Sequence, residues 1–105
     1  RKTYNLSGLV NSREIAALPK GQVVKVGGLV IRPHRPPTKS GRTVVFMSLE
    51  DEFGLVDVTV FEKTYQKYGK LLFGGSRIPL AVTGRVEHRG EATSLIAFKI
   101  EPLIQ

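Results

Sequence analysis

From Gln22 onward apolar and polar residues alternate with a period of two: Val24 and Val26 share one face, Lys25 and Gly27 the other, the pattern of a half-buried strand. Gly27-Gly28 falls inside this strand, where glycine weakens the ladder, so the pair predicts a bulge or sharp bend before Leu29 to Arg32 resume it. Pro33 to Arg42 holds three prolines, which lack the amide donor, and predicts a stiff basic loop. Thr43 to Glu50 sets Val45, Met47 and Leu49 against Val44, Phe46 and Ser48. After a tight turn at Asp51-Glu52-Phe53-Gly54, Leu55 to Phe61 continues with Val56, Val58 and Val60 on one face and Asp57 and Thr59 on the other. Phe61, Tyr65, Tyr68 and Leu72 then recur at helical spacing, which predicts a helix from Glu62 to about Leu72, frayed near Gly69, with Tyr65 and Tyr68 in the core. Gly74-Gly75-Ser76 turns the chain. Arg77 to Val86 and Thr93 to Glu101 read as two further strands around the polar loop Glu87 to Glu91.

Ahead of these strands, Leu9 to Leu18 reads as a short helix with Asn11 as N-cap and Glu14 three residues on, ended by Pro19-Lys20-Gly21. It is too short to be stable alone, so Ile15 and Leu18 are expected to dock on the main body. The chain therefore divides into a lead-in, residues 1–21, and one domain, residues 22–105. Five short strands, a helix between the third and fourth, and a glycine bend in the first match an all-β, five-stranded Greek-key barrel of the OB-fold type.

The length of 105 residues is that of one compact unit. The absence of cysteine removes disulfides, thiolate chemistry and the usual zinc sites. No apolar run approaches the roughly 18 residues that span a bilayer, and no signal peptide opens the chain, so a soluble, cytoplasmic protein without membrane contact is expected. The chain begins at Arg1 rather than Met, which fits a piece of a longer protein. Sixteen Lys and Arg against nine Asp and Glu give a net charge of +7, which favours a polyanionic partner over a merely solvated basic surface. The charge is segregated: Ile15 to Leu49 contains no acid, while five of the nine acids fall between Glu50 and Glu62.

Enzyme chemistry finds no support. The carboxylates Glu50, Asp51, Glu52 and Asp57 flank one hairpin turn, where acids are ordinary solvated residues. His34 and His88 lie in different loops with no triad spacing, and neither glycine pair fits a phosphate loop. No catalytic residue, metal or cofactor is expected.

Binding is better supported. A single-strand binder needs cations along the phosphates and aromatic faces on which bases stack. Phe46 supplies such a face, beside Ser48 and across from Thr59; the competing reading packs it beneath the proline-rich loop or the lead-in. Arg32, His34, Arg35, Lys39 and Arg42 are the leading phosphate contacts, with Arg85, His88 and Arg89 as an opposite wall. Glu50 and Asp57 would repel a phosphate there, and could instead accept hydrogen bonds from base amino groups or mark the end of the path.

Val24-Lys25-Val26-Gly27-Gly28-Leu29-Val30, Val45 to Phe61, and Val82-Thr83-Gly84-Arg85-Val86 closely resemble the OB domain of the bacterial DNA polymerase III alpha subunit, over about Gly8 to Leu103. The lead-in from Gly8 to Ile15 and the stretch Phe61 to Tyr68 are similar to that subunit and its error-prone paralogue, and Arg35-Pro36 matches a pair common in the paralogue's loop. The strand-turn-strand core is also similar to the anticodon-binding domains of class II aminoacyl-tRNA synthetases, where the aromatic matching Phe46 stacks on an anticodon base. The resemblance implies a role in holding single-stranded template DNA near a polymerase, in replication or translesion synthesis. Nucleotidyl transfer would be performed by palm carboxylates that this chain does not contain. Asp57 departs from the more basic face of family members. The expectation is a non-catalytic module, monomeric as an isolated domain, that binds single-stranded DNA and contacts other polymerase III subunits. The alternatives are an anticodon-type RNA reader and a protein-interaction module that never touches DNA.

Overall fold

A computed structural model describes residues 8–73 and 78–103. A 3-10 turn (Ile15–Ala17) precedes β1 (Val23–His34), β2 (Val44–Asp51), β3 (Gly54–Phe61), α1 (Glu62–Phe73), β4 (Leu80–Arg89) and β5 (Ala92–Pro102). The strands close in the order β1-β2-β3-β5-β4, with β3 and β5 parallel and every other pair antiparallel. This is the five-stranded barrel with an inserted helix that the element order predicts. The predicted turn at Gly74-Gly75-Ser76, with Arg77, lies outside the described residues.

Closure depends on β1 serving two neighbours. Its first half, Val23 to Gly28, pairs with β4, and Leu29 to Ile31 pair with β2. The change of partner falls at the predicted glycine bend. A Cβ on Gly28 would stand 2.5 Å from the Glu50 carbonyl oxygen, so only glycine lets β2 come this close. Inside the barrel the period-two residues Val26, Val45, Val60, Val82, Val86 and Leu95 are all at 0% exposure; each buried side chain of this size contributes about 1.5–3 kcal/mol before entropic costs. α1 docks through the buried Leu72 and a hydrogen bond of 3.2 Å from the Thr64 hydroxyl to the Ala97 carbonyl.

The structure corrects several boundaries. Among the described residues the lead-in forms no α-helix, only the three-residue turn, although Asn11 and Glu14 exchange the predicted reciprocal bonds: the Asn11 amide donates to Glu14 Oε1 at 3.1 Å and the Glu14 amide to Asn11 Oδ1 at 2.8 Å. Docking decides the conformation there, with Ile15 buried and Leu18 packed against the core, because so short a segment cannot sustain a helix by itself. β1 continues to His34, because Pro33 sits in a bulge between Ile31 and His34 where no ladder amide is needed. At that bulge Arg32 takes φ +52°, a left-handed conformation that costs an L-residue roughly 1–2 kcal/mol.

α1 runs unbroken through Gly69, over which the Tyr65 ring folds; a Cβ there would lie 2.6 Å from that ring. Tyr65 and Tyr68 pack half-buried against the core, but Phe61 does not join their stripe. The predicted loop Glu87 to Glu91 is a hairpin with a turn of Gly90 and Glu91 only, because Glu87, His88 and Arg89 pair with Ser94, Thr93 and Ala92.

Asp51 ties the lead-in to the barrel. Its carboxylate accepts the Ser12 amide and hydroxyl, each at 2.7 Å, and the Phe53 and Gly54 amides at 2.8 and 3.0 Å. Burial pushes this carboxyl up, but the bonds from Ser12, Phe53 and Gly54 outweigh it and hold it below the ordinary carboxylate value.

Two predictions test this account. Gly28→Ala forces Glu50 away and should lower stability by about 1–3 kcal/mol in urea unfolding, with the exposed surface otherwise unchanged. The stabilisation from ionised Asp51 is present at neutral pH and is lost as the pH falls below the ordinary carboxylate range through the lower folded value. Wild type and Asp51→Asn should therefore differ in stability at pH 7 and converge in acid.

Candidate nucleic-acid interface

Alternation carries the inward set Val45, Met47 and Leu49 on β2 and Val56, Val58 and Val60 on β3. The residues between them are therefore pressed to the outside. Register aligns them across strands: Phe46 opposes Thr59, Ser48 opposes Asp57, and Val44 opposes Phe61. On one side His34 pairs with Phe46, and on the other Thr59 pairs with Ile96, which in turn pairs with Arg85. A single row thus runs His34, Phe46, Thr59, Ile96, Arg85 around the barrel wall.

Phe46 is 40% exposed, with no cover from the lead-in among the described residues. Its ring meets the His34 imidazole at 5.9 Å between centroids, tilted by 35°. His34 Nδ1 lies 3.2 Å from the Arg32 carbonyl, which fixes the hydrogen on Nδ1 as donor. Two further aromatics join this face. Phe61 is 48% exposed and sits diagonally from Phe46, a relation that places Cα atoms about 7–8 Å apart. Phe98, also exposed, lies two residues beyond Ile96, as Phe61 lies two beyond Thr59. Phe61 fits the helical stripe by spacing, yet the alternation Asp57, Thr59, Phe61 carries the signal that places it outward. Phe98 was hidden because Leu95, Ile96, Ala97 and Phe98 are all apolar, so parity alone could not say which pair faces in.

The predicted cations divide into groups. Lys39 and Arg42 project from the tip of the β1–β2 loop, which is held by the Thr38 hydroxyl donating to the Arg42 carbonyl at 2.7 Å and the Arg42 amide to the Ser40 hydroxyl at 3.3 Å. Arg32 is exposed at the bulge in β1. Arg35 turns instead toward α1, where its Nη1 donates to the Tyr65 hydroxyl at 2.9 Å and its guanidinium lies 5.5 Å from the ring centres of both Tyr65 and Phe73. Arg35 therefore anchors the loop on the helix.

On the other side, Arg85 is exposed on the strand wall, three strand spacings or roughly 14 Å around from Phe46, and Arg89 stands at the hairpin end. His88 is engaged: Nε2 donates to the Leu18 carbonyl at 2.6 Å, and Nδ1 accepts the Thr93 hydroxyl at 3.1 Å. It fastens the lead-in. Beside it Glu87 pairs with Lys20 at 3.0 Å, and that lysine holds the Glu87 carboxyl below its ordinary value. Among the described residues the ion pairs use Lys20, Lys25 and Lys99, and none uses the arginines of the loop or of β4. The Ser48 hydroxyl donates to Asp57 Oδ1 at 3.1 Å, which settles this polar pair in the middle of the face. No group of His, Asp or Glu among the described residues is placed to hold a metal ion.

Residues 20–103 match the model of a family of anticodon-binding type described as an OB-fold nucleic acid binding domain. The chain belongs to that family. This OB-fold domain is 49% identical over 103 residues to an error-prone DNA polymerase of Symbiobacterium thermophilum, covering 98% of the chain and 10% of the polymerase. It is 36% identical over 103 residues to error-prone DNA polymerase 1 of Rhizobium meliloti, covering 98% of the chain and 9% of that protein. The domain thus spans about a tenth of the length of these curated relatives. Among solved structures, asparaginyl-tRNA synthetase from Pyrococcus horikoshii, complexed with asparaginyl-adenylate, shares the fold with a TM-score of 0.68 at 22% identity, over 90% of this chain and 22% of that one.

The anchoring of the loop can be tested directly. Arg35→Ala removes one hydrogen bond and two cation–π contacts, so trypsin should cut at Lys39 and Arg42 faster than in the wild type. Global stability should fall by only about 1 kcal/mol in urea unfolding.

Proposed function

We propose that this OB-fold domain binds single-stranded DNA across the outer face of β2, β3 and β5, as a non-catalytic module that holds template near the active site of an error-prone, polymerase III alpha-type enzyme. The observation that carries the reading is the set of exposed rings Phe46, Phe61 and Phe98 on one register-aligned face, together with the exposed cations Arg32, Lys39 and Arg42, which enter no ion pair among the described residues. Stacked bases tolerate any sequence because every base has a π face, and loop cations follow the backbone. The stretch from Ile15 to Leu49, which includes the whole β1–β2 loop, contains no acid, and Glu62 at the start of α1 meets the end of that loop by accepting the Thr43 amide at 3.0 Å. The match to DNA polymerases supports DNA over RNA as the ligand, and the small share of those proteins that the chain covers supports a positioning role rather than catalysis.

Fluorescence anisotropy with a labelled oligo-dT, an oligo-U and a duplex of equal length tests the reading. The single DNA strand should bind most tightly, with log affinity falling linearly against log salt. Phe46→Ala should weaken that binding by ~1–3 kcal/mol with the circular dichroism unchanged, while the salt slope stays as in the wild type. Preference for oligo-U would make the module an RNA reader. Absence of binding at low salt would turn the aromatic face into a protein contact.

A further inference from the structure

The carboxylate in the middle of a face that is otherwise suited to a polyanion calls for a physical account. Asp57 is exposed, lies diagonally from Phe46, and is held through Oδ1 by the Ser48 hydroxyl at 3.1 Å. The direction of the strands decides what it can meet. The β1–β2 loop with Lys39 and Arg42 leaves β1 at His34 and re-enters β2 at Val44, on one side of Phe46 along the strand. Ser48 lies on the opposite side of Phe46, about 7 Å along β2, with Asp57 directly across from it. A nucleotide with its phosphate on the loop cations and its ring on Phe46 therefore points its Watson–Crick edge at the Ser48–Asp57 pair.

We infer that Asp57, positioned by Ser48, is a specificity-determining residue that selects guanine for the base stacked on Phe46; the inference rests on the single-strand reading above. An ionised carboxylate only accepts hydrogen bonds, and with Oδ1 already taking one from Ser48 it still offers Oδ2 and a further lone pair on Oδ1. Guanine presents two adjacent donors on that edge, N1–H and the N2 amino group, and so matches a two-oxygen acceptor. Adenine and cytosine each set a ring acceptor beside their amino group. Thymine and uracil flank one N–H with two carbonyls. Against a carboxylate these bases bring lone pairs together, so only guanine satisfies both oxygens. The residue that opposes phosphates at this position thereby becomes a reader of base identity, and the cation on the loop side and the anion on the base side orient the nucleotide between them.

The test uses octamers of thymidine with and without one central guanine, and the same octamer with inosine, which lacks the N2 amino group. Wild type should bind the guanine octamer roughly fivefold or more tightly than all-thymidine, with inosine between them. Asp57→Asn, which offers one acceptor and one donor, should bind the three alike while binding all-thymidine at least as tightly as the wild type, since a repelling charge is gone. Equal, salt-sensitive binding of all three octamers by the wild type would overturn the guanine assignment and leave the single-strand reading standing. A guanine preference that survives in Asp57→Asn would also overturn it. No binding of any octamer at low salt would remove both readings.

Discussion

The molecule depends on one strand serving two sheets. β1 gives its first half to β4 and its second half to β2, and the exchange is possible only because Gly28 lets the Glu50 backbone come to a distance that any side chain would forbid. With that bend the five strands close and no long edge is left to pair with another chain. Closure also fixes which side of every strand is the outside. The position of the aromatic face is thus a consequence of a backbone contact between Gly28 of β1 and Glu50 of β2.

Closure then sorts the polar groups. Asp51 and His88 lie close in sequence to residues of the outer face, yet both are spent on holding the lead-in, one through Ser12 and the other through the Leu18 carbonyl. Arg35 is likewise taken up by the Tyr65 and Phe73 rings, so the loop reaches over the helix end with its tip cations still open. The basic residues thereby divide into those that organise the chain's own loops and those whose side chains enter no ion pair or hydrogen bond among the described residues. The Arg35 guanidinium gives one of its five N–H donors to the Tyr65 hydroxyl and is held near two rings, which fixes where its other donors can act.

Much of this was legible in the residues. Strict alternation identified the inward faces of β2 and β3, because a sheet with one buried side sends successive side chains to opposite solvents. That parity by itself places Phe46 on the outside. It was less informative at the ends of elements. Phe61 belongs both to an alternating strand and to a helical stripe, and the overlap concealed its exposure. The helix expected around Asn11 and Glu14 kept its hydrogen-bonded cap and lost its length, because the segment is ordered by docking onto Asp51 and His88 rather than by its own propensity.

By itself the sequence determined the element order, the bend in β1, the buried set of the barrel and the excess of positive charge, since these follow from local periodicity, glycine chemistry and composition. Tertiary structure alone decided which rings share a face, that Arg35 and His88 are held by other elements, and that Ser48 holds Asp57 beside Phe46. Those relations join residues from different strands, and their partners are set by barrel register, a non-local property that no single segment encodes.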